Sequence, residues 1–551
     1  MLSKLKGWLG CSWTSNISDE VYELSEVASE VCEKVYSTVM DYVWDVGETM
    51  ILKSKMERAK DWKTWKESAE ELDNLQGKDE WKNREQSPLY DYRLLRRRLK
   101  LIKHMQDTGD VEALVHHLRS GLLRGLGGNL HPELYSKSLV NTKTLIVNYQ
   151  KEVRKALRFV LNSDKFDLKS KLTFFTESRY AYGRTALILS GGGGLGMYHL
   201  GVVKALYEQN LLPKIIAGTS AGSLIAAFIC TTKWEEIPSR FEPNSIKYGP
   251  FSGLEKGSWL RKIKRFFRQG YLMDISKLEL FLRDNIGEMT FQEAYLKTGI
   301  ILNITISESS EHNDYRLMNY LTAPHVLIWS AALASCAIPY VFEPVELKCR
   351  NYKGDILPFH PAGLKFIDGS VKADLPMQRL AELFNVNAFI VSQTNPWVIP
   401  LLSADDGGGS WGDSFQFKLI RMVKRLCLME FRHRVQQLNL IGLCNFLSSI
   451  LGIFTQEYRG HVTIWPVPSV RDYINILSNP SEDDIQRCIR RGQNRTFSKI
   501  NMMKSIMAIE AEFDDCCKEL KKRLKRSDSG QIEMNMEECF DCPGLAILSK
   551  S

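Results

Sequence analysis

The sequence predicts an α/β fold, a parallel sheet flanked by helices, set between a helical N-terminal region and a mainly helical C-terminal region. Three observations lead there. From Arg184 onward, short apolar runs alternate with helical patterns, as β-α-β units of a parallel sheet require. Before that point, apolar residues recur at helical spacing among many Lys, Arg and Trp. Beyond residue 395, the stretch Ser403 to Asp413 (SADDGGGSWGD) reads as a glycine-rich linker into further helices. The expected divisions are a helical region over 1–180, an α/β domain over 184–395 and a helical region with a polar tail over 396–551.

In chain order, Leu2, Leu5, Trp8 and Leu9 would share one face of a short helix, suited to lying on a membrane surface or simply to an amphipathic terminus. A helix is expected over 18–56, capped by Ser18, with Val21, Leu24, Ala28, Val31, Val35 and Val39 on one face. The style continues over 60–160, broken at Ser87-Pro88 and from Gly125 to Asn129. TALILS, IIAG, GIILNITIS and NAFIVSQT are the expected strands, and MYHLGVVKALYEQNLL is a helical pattern. From Val435 to Gln456 no side chain is charged, but glycines and amides interrupt the run. A buried or interfacial helix fits it better than a bilayer-embedded one. The late basic run KKRLKR reads as solvated charge.

The bulk numbers set limits. A chain of 551 residues has room for three or four domains at roughly 150 residues each. The net charge of +8 suits contact with anionic surfaces such as phospholipid headgroups and gives no argument for nucleic acid. The 12 cysteines are scattered, which fits a reducing, intracellular compartment. Cys539 and Cys542 form a CxxC with Cys516 and Cys517 upstream, but an inert tail is expected there rather than a metal site. No secretory pattern opens the sequence.

Two glycine motifs carry chemistry. Gly218-Thr219-Ser220-Ala221-Gly222 has the G-x-S-x-G form, after a short strand and before a helix. A nucleophile on such a turn has its Oγ exposed, its neighbours must be small, and the helix N-terminus favours negative charge. Gly191, Gly192, Gly193, Gly194 and Gly196 form a second strand-to-helix loop, whose amides can converge on an oxyanion. The same letters match a dinucleotide fingerprint. That motif wants an acidic residue at the end of the next strand, and Leu212 to Thr219 supplies none. A phosphate loop would want Gly-Lys-Ser or Gly-Lys-Thr, also missing here. For the base, a Ser-His-Asp order points to His433 or His461, neither in a short strand-end loop. Asp368, in FIDGS, stands at a strand end before a glycine, a position that serves a turn as well as a site.

In this order, LSGGGGLG, GTSAG and FIDGS resemble the patatin-like phospholipase domain. WSAALASCAIPYVFEPVEL and DLPMQRLAELFNVNAFIVSQTNP are similar to its fungal and plant triacylglycerol lipase subgroup. SPLYDYRLLRRRL, LRGLGGNL and WPVPSVRDYINILSNPS resemble that subgroup's flanks, so the likeness spans about residues 60–520. The resemblance implies a patatin-like sheet and a Ser-Asp dyad, with Ser220 as nucleophile and Asp368 as base. It also implies an oxyanion hole from Gly191 to Gly196, and it gives His199 no catalytic role. No cofactor or metal is implied. The expected substrate is triacylglycerol, with phospholipid or lysophospholipid as the alternative. An inactive lipid-surface scaffold is the reading from another class. The expected location is inside the cell, at a lipid droplet or endoplasmic-reticulum membrane. Leu195 stands where many family members carry a basic residue, which suits a neutral lipid. No His has an Asp five positions on, so the subgroup's H-x4-D acyltransferase motif is missing.

Overall fold

The computed structural model describes residues 47–242, 273–309, 315–339, 341–360, 363–371, 373–403, 458–474 and 480–528, plus isolated positions between and beside these segments. The Trp8 face, most of the expected 18–56 helix, the Ser403–Asp413 linker, all of Val435 to Gln456 except Gln437, and Cys539 with Cys542 lie outside the described residues. The chain forms two compact units, 1–78 and 79–551. In the first, a helix covers 47–58. It is followed by α1, Trp62–Leu75, whose Asp61 cap accepts the Thr64 amide. Trp62 and Trp65 stack at 5.0 Å on its buried face.

The second unit begins with helices of the same style. Asp91, Asp110 and Asp167 cap α2 (Tyr92–Asp107), α3 (Val111–Gly121) and α5 (Leu168–Tyr182), each accepting a backbone amide of the first turn. Between them, α4 spans Thr144–Asn162 with nine buried positions at helical spacing.

The sheet that follows is built on β1 (Arg184–Leu189), β2 (Ile215–Gly218), β3 (Ile301–Glu308), β4 (Tyr315–Met318), β5 (Val345–Glu346), β8 (Lys365–Asp368), β9 (Val386–Ser392) and β10 (Val462–Ile464). A separate hairpin pairs β6 (Lys348–Arg350) with β7 (Ile356–Pro358). The strand order is β10-β9-β1-β2-β3-β8-β5, with β4 also on β3. From β10 to β3 all neighbours are parallel. Beyond β3 the otherwise parallel sheet takes an antiparallel edge: β4 and β8 run antiparallel to β3, and β5 antiparallel to β8. The link from β3 to β4 is too short for a parallel crossover.

The parallel strands are apolar on both faces because both are covered. Ala186, Ile188, Ile215, Ala217 and Val391 pack with Leu380 and Phe384 of the helix Met377–Phe384. The alternate residues Leu187, Leu189 and Ile216 are equally buried. The C-terminal region adds the edge strand β10 and two long helices, Glu482–Phe497 and Ile500–Asp528. The last of these packs on α4 and α5 and carries the KKRLKR run in its final turns. Its Glu510 accepts the Thr185 amide at the start of β1 and pairs with Arg124 and Arg179, tying both flanking helical regions to the sheet.

Among the described residues, no helix is long and apolar enough to cross a membrane, and no cluster of His, Cys, Asp or Glu could hold a metal ion.

Candidate active site

Sheet register places the site. Gly218 at the end of β2 lies opposite Ile304 of β3, and Asp368 at the end of β8 lies opposite Ile306 on the other side of β3. Ser220, two residues past Gly218, therefore comes abreast of Asp368 across the end of β3. Ser220 takes φ 51° and ψ −126° before the helix Ala221–Cys230. A non-glycine residue in that region costs on the order of 1–3 kcal/mol and must be held by its surroundings. The holding bonds are present. Thr219 N–H donates to Leu189 O at 3.1 Å, and Ser220 N–H donates to Ser335 Oγ at 2.9 Å. The Ser335 hydroxyl in turn donates to Thr305 O of β3 at 2.7 Å. Small neighbours are compulsory: a Cβ on Gly222 would lie 2.1 Å from Leu189 O, and one on Gly218 2.4 Å from Gly222 O.

Asp368 is fully buried. Its Oδ1 accepts the Ser370 amide at 2.8 Å, while Oδ2 has no partner of full hydrogen-bonding geometry. Burial pushes its pKa from the ordinary 3.8 up to about 6, and the neighbouring Ser220 and Ser370 groups pull the other way. The Ser220 hydroxyl is thus beside a buried carboxylate with an oxygen to spare.

The glycine loop lies against the same pair: a Cβ on Gly191 would sit 3.3 Å from Ser220 Cβ. Its amides are not equivalent. Gly191 N–H donates to Asp374 Oδ1 at 2.7 Å and Gly194 N–H to Ile476 O at 2.7 Å. Gly192 and Gly193 N–H have no acceptor among the described residues. Gly192 passes so close to Thr394 that a Cβ would meet its carbonyl at 2.5 Å. Gly196 lies against Ala221, the first residue of the helix that follows Ser220. Leu195 is buried with Tyr198, Ile399 and Cys488.

The histidines are elsewhere or occupied. His199, in the first turn of the helix Tyr198–Glu208, is fully buried. Its Nδ1 bonds Ser392 Oγ at 2.7 Å, and its Nε2 lies 3.0 Å from both Ser190 O and Thr394 Oγ1. Burial lowers its pKa to about 4. His461 accepts the Phe389 amide at the sheet edge, and His433 lies beside Gln437. Sequence reasoning passed over Asp374 and Ser335. Only the polar letter in ADLP hinted at Asp374, and Ser335 is one of two serines in WSAALASC.

Comparison with known proteins agrees with this architecture. Residues 187–381 match the model of the patatin-like phospholipase family, and residues 42–180 match a domain of unknown function, DUF3336. Triacylglycerol lipase SDP1L of Arabidopsis thaliana is 38% identical over 86% of this chain and 59% of that protein. Triacylglycerol lipase ptl2 of Schizosaccharomyces pombe is 35% identical over 87% of this chain and 77% of that protein. Triacylglycerol lipase ptl3 of the same yeast is 33% identical over 86% of this chain and 98% of that protein. The chain thus spans about three fifths of the plant relative and nearly all of the shorter yeast one. Identity at this level over nearly a whole relative leaves one assignment: the chain belongs to the patatin-like phospholipase family.

Proposed function

We propose that this chain hydrolyses the esters of neutral lipids, triacylglycerol first, with Ser220 as nucleophile, Asp368 as base, and Gly192 and Gly193 N–H as oxyanion donors. The observation that carries this reading is the buried Asp368 carboxylate, one oxygen unsatisfied, beside a serine held on a strained strand-to-helix turn. A carboxylate with a pKa near 6 is ionised at neutral pH and basic enough to accept a proton as the hydroxyl attacks. Asp368 takes the Ser220 proton while Oγ bonds to the ester carbonyl carbon. The carbonyl oxygen becomes an oxyanion facing the glycine amides and the N-terminus of Ala221–Cys230. Collapse expels the alcohol, which leaves with the proton from Asp368. Water, deprotonated by Asp368, then releases the fatty acid and restores Ser220. No cofactor enters these steps.

The relatives' names support triacylglycerol as the substrate. The buried, uncharged Leu195 fits a substrate without a phosphate. A water-insoluble substrate supports peripheral contact with a lipid surface, which we take to be a lipid droplet or endoplasmic-reticulum membrane inside the cell. Phospholipid is the second reading, favoured by the family's own description.

The test is product profiling with purified protein on emulsified trioleoylglycerol and on phosphatidylcholine vesicles, beside Ser220→Ala. We expect oleate and diacylglycerol from the first substrate, little from the second, and neither with Ser220→Ala. Faster phosphatidylcholine cleavage transfers the assignment to phospholipase, and no fatty acid from either lipid makes the chain a scaffold.

A further inference from the structure

Asp374 is a second fully buried carboxylate beside the proposed dyad, and the proposed proton transfers do not use it. Six residues past Asp368, the chain turns through Gly369–Val371, with Ala373 N–H donating to Gly369 O at 2.9 Å. This turn brings Asp374 back to the end of the sheet. There one residue grips two others. Its Oδ1 accepts Gly191 N–H at 2.7 Å, and its backbone carbonyl accepts the Thr219 hydroxyl at 2.9 Å. Gly191 precedes the two glycines whose amides are open, and Thr219 precedes Ser220. The bond to Gly191 fixes the peptide from which the Gly192 and Gly193 amides follow. The bond to Thr219 fixes the elbow against the same residue.

We propose that Asp374 is a positioning residue for the ester hydrolysis, setting the distance between the oxyanion-binding glycine loop and the nucleophile. The inference rests on the dyad reading above. The role is worth a buried carboxylate because a shift of about 1 Å between nucleophile and oxyanion donors can cost on the order of 100-fold in rate.

The ionisation of Asp374 supplies a readout that mere packing lacks. The groups around it are Asp368 from β8, Gly191 from the glycine loop, and the Asn395 and Gln393 side chains beyond β9. Burial and the like charge of Asp368 raise its pKa to about 7, while the Gly191, Asn395 and Gln393 bonds oppose the rise. Of the other titratable groups of the site, Asp368 ionises near 6 and the remaining two stay neutral at that pH. Burial pushes the Cys336 thiol far up, and His199 titrates near 4. An ionised Asp374 behind the loop opposes the developing oxyanion, so kcat falls as pH rises through about 7.

The experiment measures kcat and KM on p-nitrophenyl butyrate for wild type, Asp374→Ala, Asp374→Asn and Ser220→Ala, with thermal melts. We expect Asp374→Ala to lose about 100-fold in kcat with KM within about threefold. Asparagine keeps an acceptor for Gly191 N–H, so Asp374→Asn should recover most of that loss and lack the fall near pH 7. An alanine variant that folds and keeps kcat within about threefold overturns the proposal. If the alanine variant does not fold, the asparagine pH profile decides: loss of the ionisation near 7 supports the role, and an unchanged profile refutes it. Activity in Ser220→Ala would instead overturn the dyad reading. An inert Ser220→Ala beside a normal Asp374→Ala would remove this inference alone.

Discussion

His199 and Asp368 are both fully buried and both lie by the glycine loop, yet their surroundings make them opposites. Both ring nitrogens of His199 are engaged, by Ser392, Ser190 and Thr394. Asp368 has one oxygen satisfied by the Ser370 amide and one left over beside Ser220. Burial drives each toward neutrality, His199 down to about 4 and Asp368 up to about 6. At neutral pH the histidine is uncharged and content, while the aspartate is charged and short of a partner. Burial alone therefore does not mark the chemical group. In the proposed reading, a buried polar atom without a full partner beside a serine on a strained turn does.

The largest effect expected from this contrast is at Asp368. Asp368→Asn keeps an acceptor for the Ser370 amide but cannot take a proton, so kcat/KM should fall by about 10³-fold or more. In wild type the acid limb of kcat/KM should lie near pH 6, where Asp368 protonates. The same substitution should stabilise the fold. The unfolded carboxyl ionises near 3.8 and the folded one near 6, so between those values the native state binds more protons. Native stability is then lost as pH rises through that window, by about 3 kcal/mol in all. Asp368→Asn should gain up to about that amount at pH 7 and nothing at pH 4, read from melts at both pH values. A variant that is inactive and also less stable at pH 7 would mean that Asp368 is a structural residue.

The contrast also shows which parts of the site the sequence could express. TALILS, IIAG, ILNITIS and NAFIVS read as strands because a strand covered on both faces must be apolar throughout. Their apolar pattern carries no direction, so the antiparallel β8 and β4 were not legible. The three-residue β10 is too short to show a strand pattern within a C-terminal region that otherwise reads as helical. Ser220 stood out because the crowding at Gly218 and Gly222 forces glycine into a fixed local pattern. The Asp374 bond to Gly191 spans 183 positions and the Ser335 bond to Ser220 spans 115, so no local spacing announces either. The glycine loop illustrates the same limit. Five glycines looked alike in the sequence, and only the acceptors Asp374 and Ile476 separate the occupied amides from the open ones.

A smaller effect should follow from His199, with the opposite dependence on pH. His199→Gln leaves Ser392 or Thr394 short of a partner, which should cost about 1–3 kcal/mol at pH 7. An unfolded histidine protonates near 6.5 and the folded one near 4, so wild type loses stability as pH falls through that window. The neutral variant does not, and its deficit against wild type should shrink toward pH 4. Below its melting temperature, kcat on a soluble ester should stay within about tenfold of wild type, because Thr394 still backs the loop. A loss as complete as that of Asp368→Asn would put the histidine into the chemistry and erase the contrast.

The smallest effects should come from the two histidines that a Ser-His-Asp order would have favoured. His461 stands just before β10, where its Nδ1 accepts the Phe389 amide of β9. In this parallel part of the sheet, Phe389 pairs with Ala186 near the middle of β1, while the Ser220 turn follows the far ends of β1 and β2. β9 and β1 stand between β10 and β2 in the strand order, so His461 cannot reach Ser220 without rebuilding the sheet. His433 is exposed and bonds a neighbouring amide, Gln437, one helical turn away. Each alanine variant should therefore keep kcat/KM on p-nitrophenyl butyrate within about twofold. His461→Ala should lower the melting temperature slightly through its lost bond at the edge strand, and His433→Ala should leave it in place. If either protein folded normally and released no product, a histidine would be carrying the proton, and Asp368 would become the group that orients it.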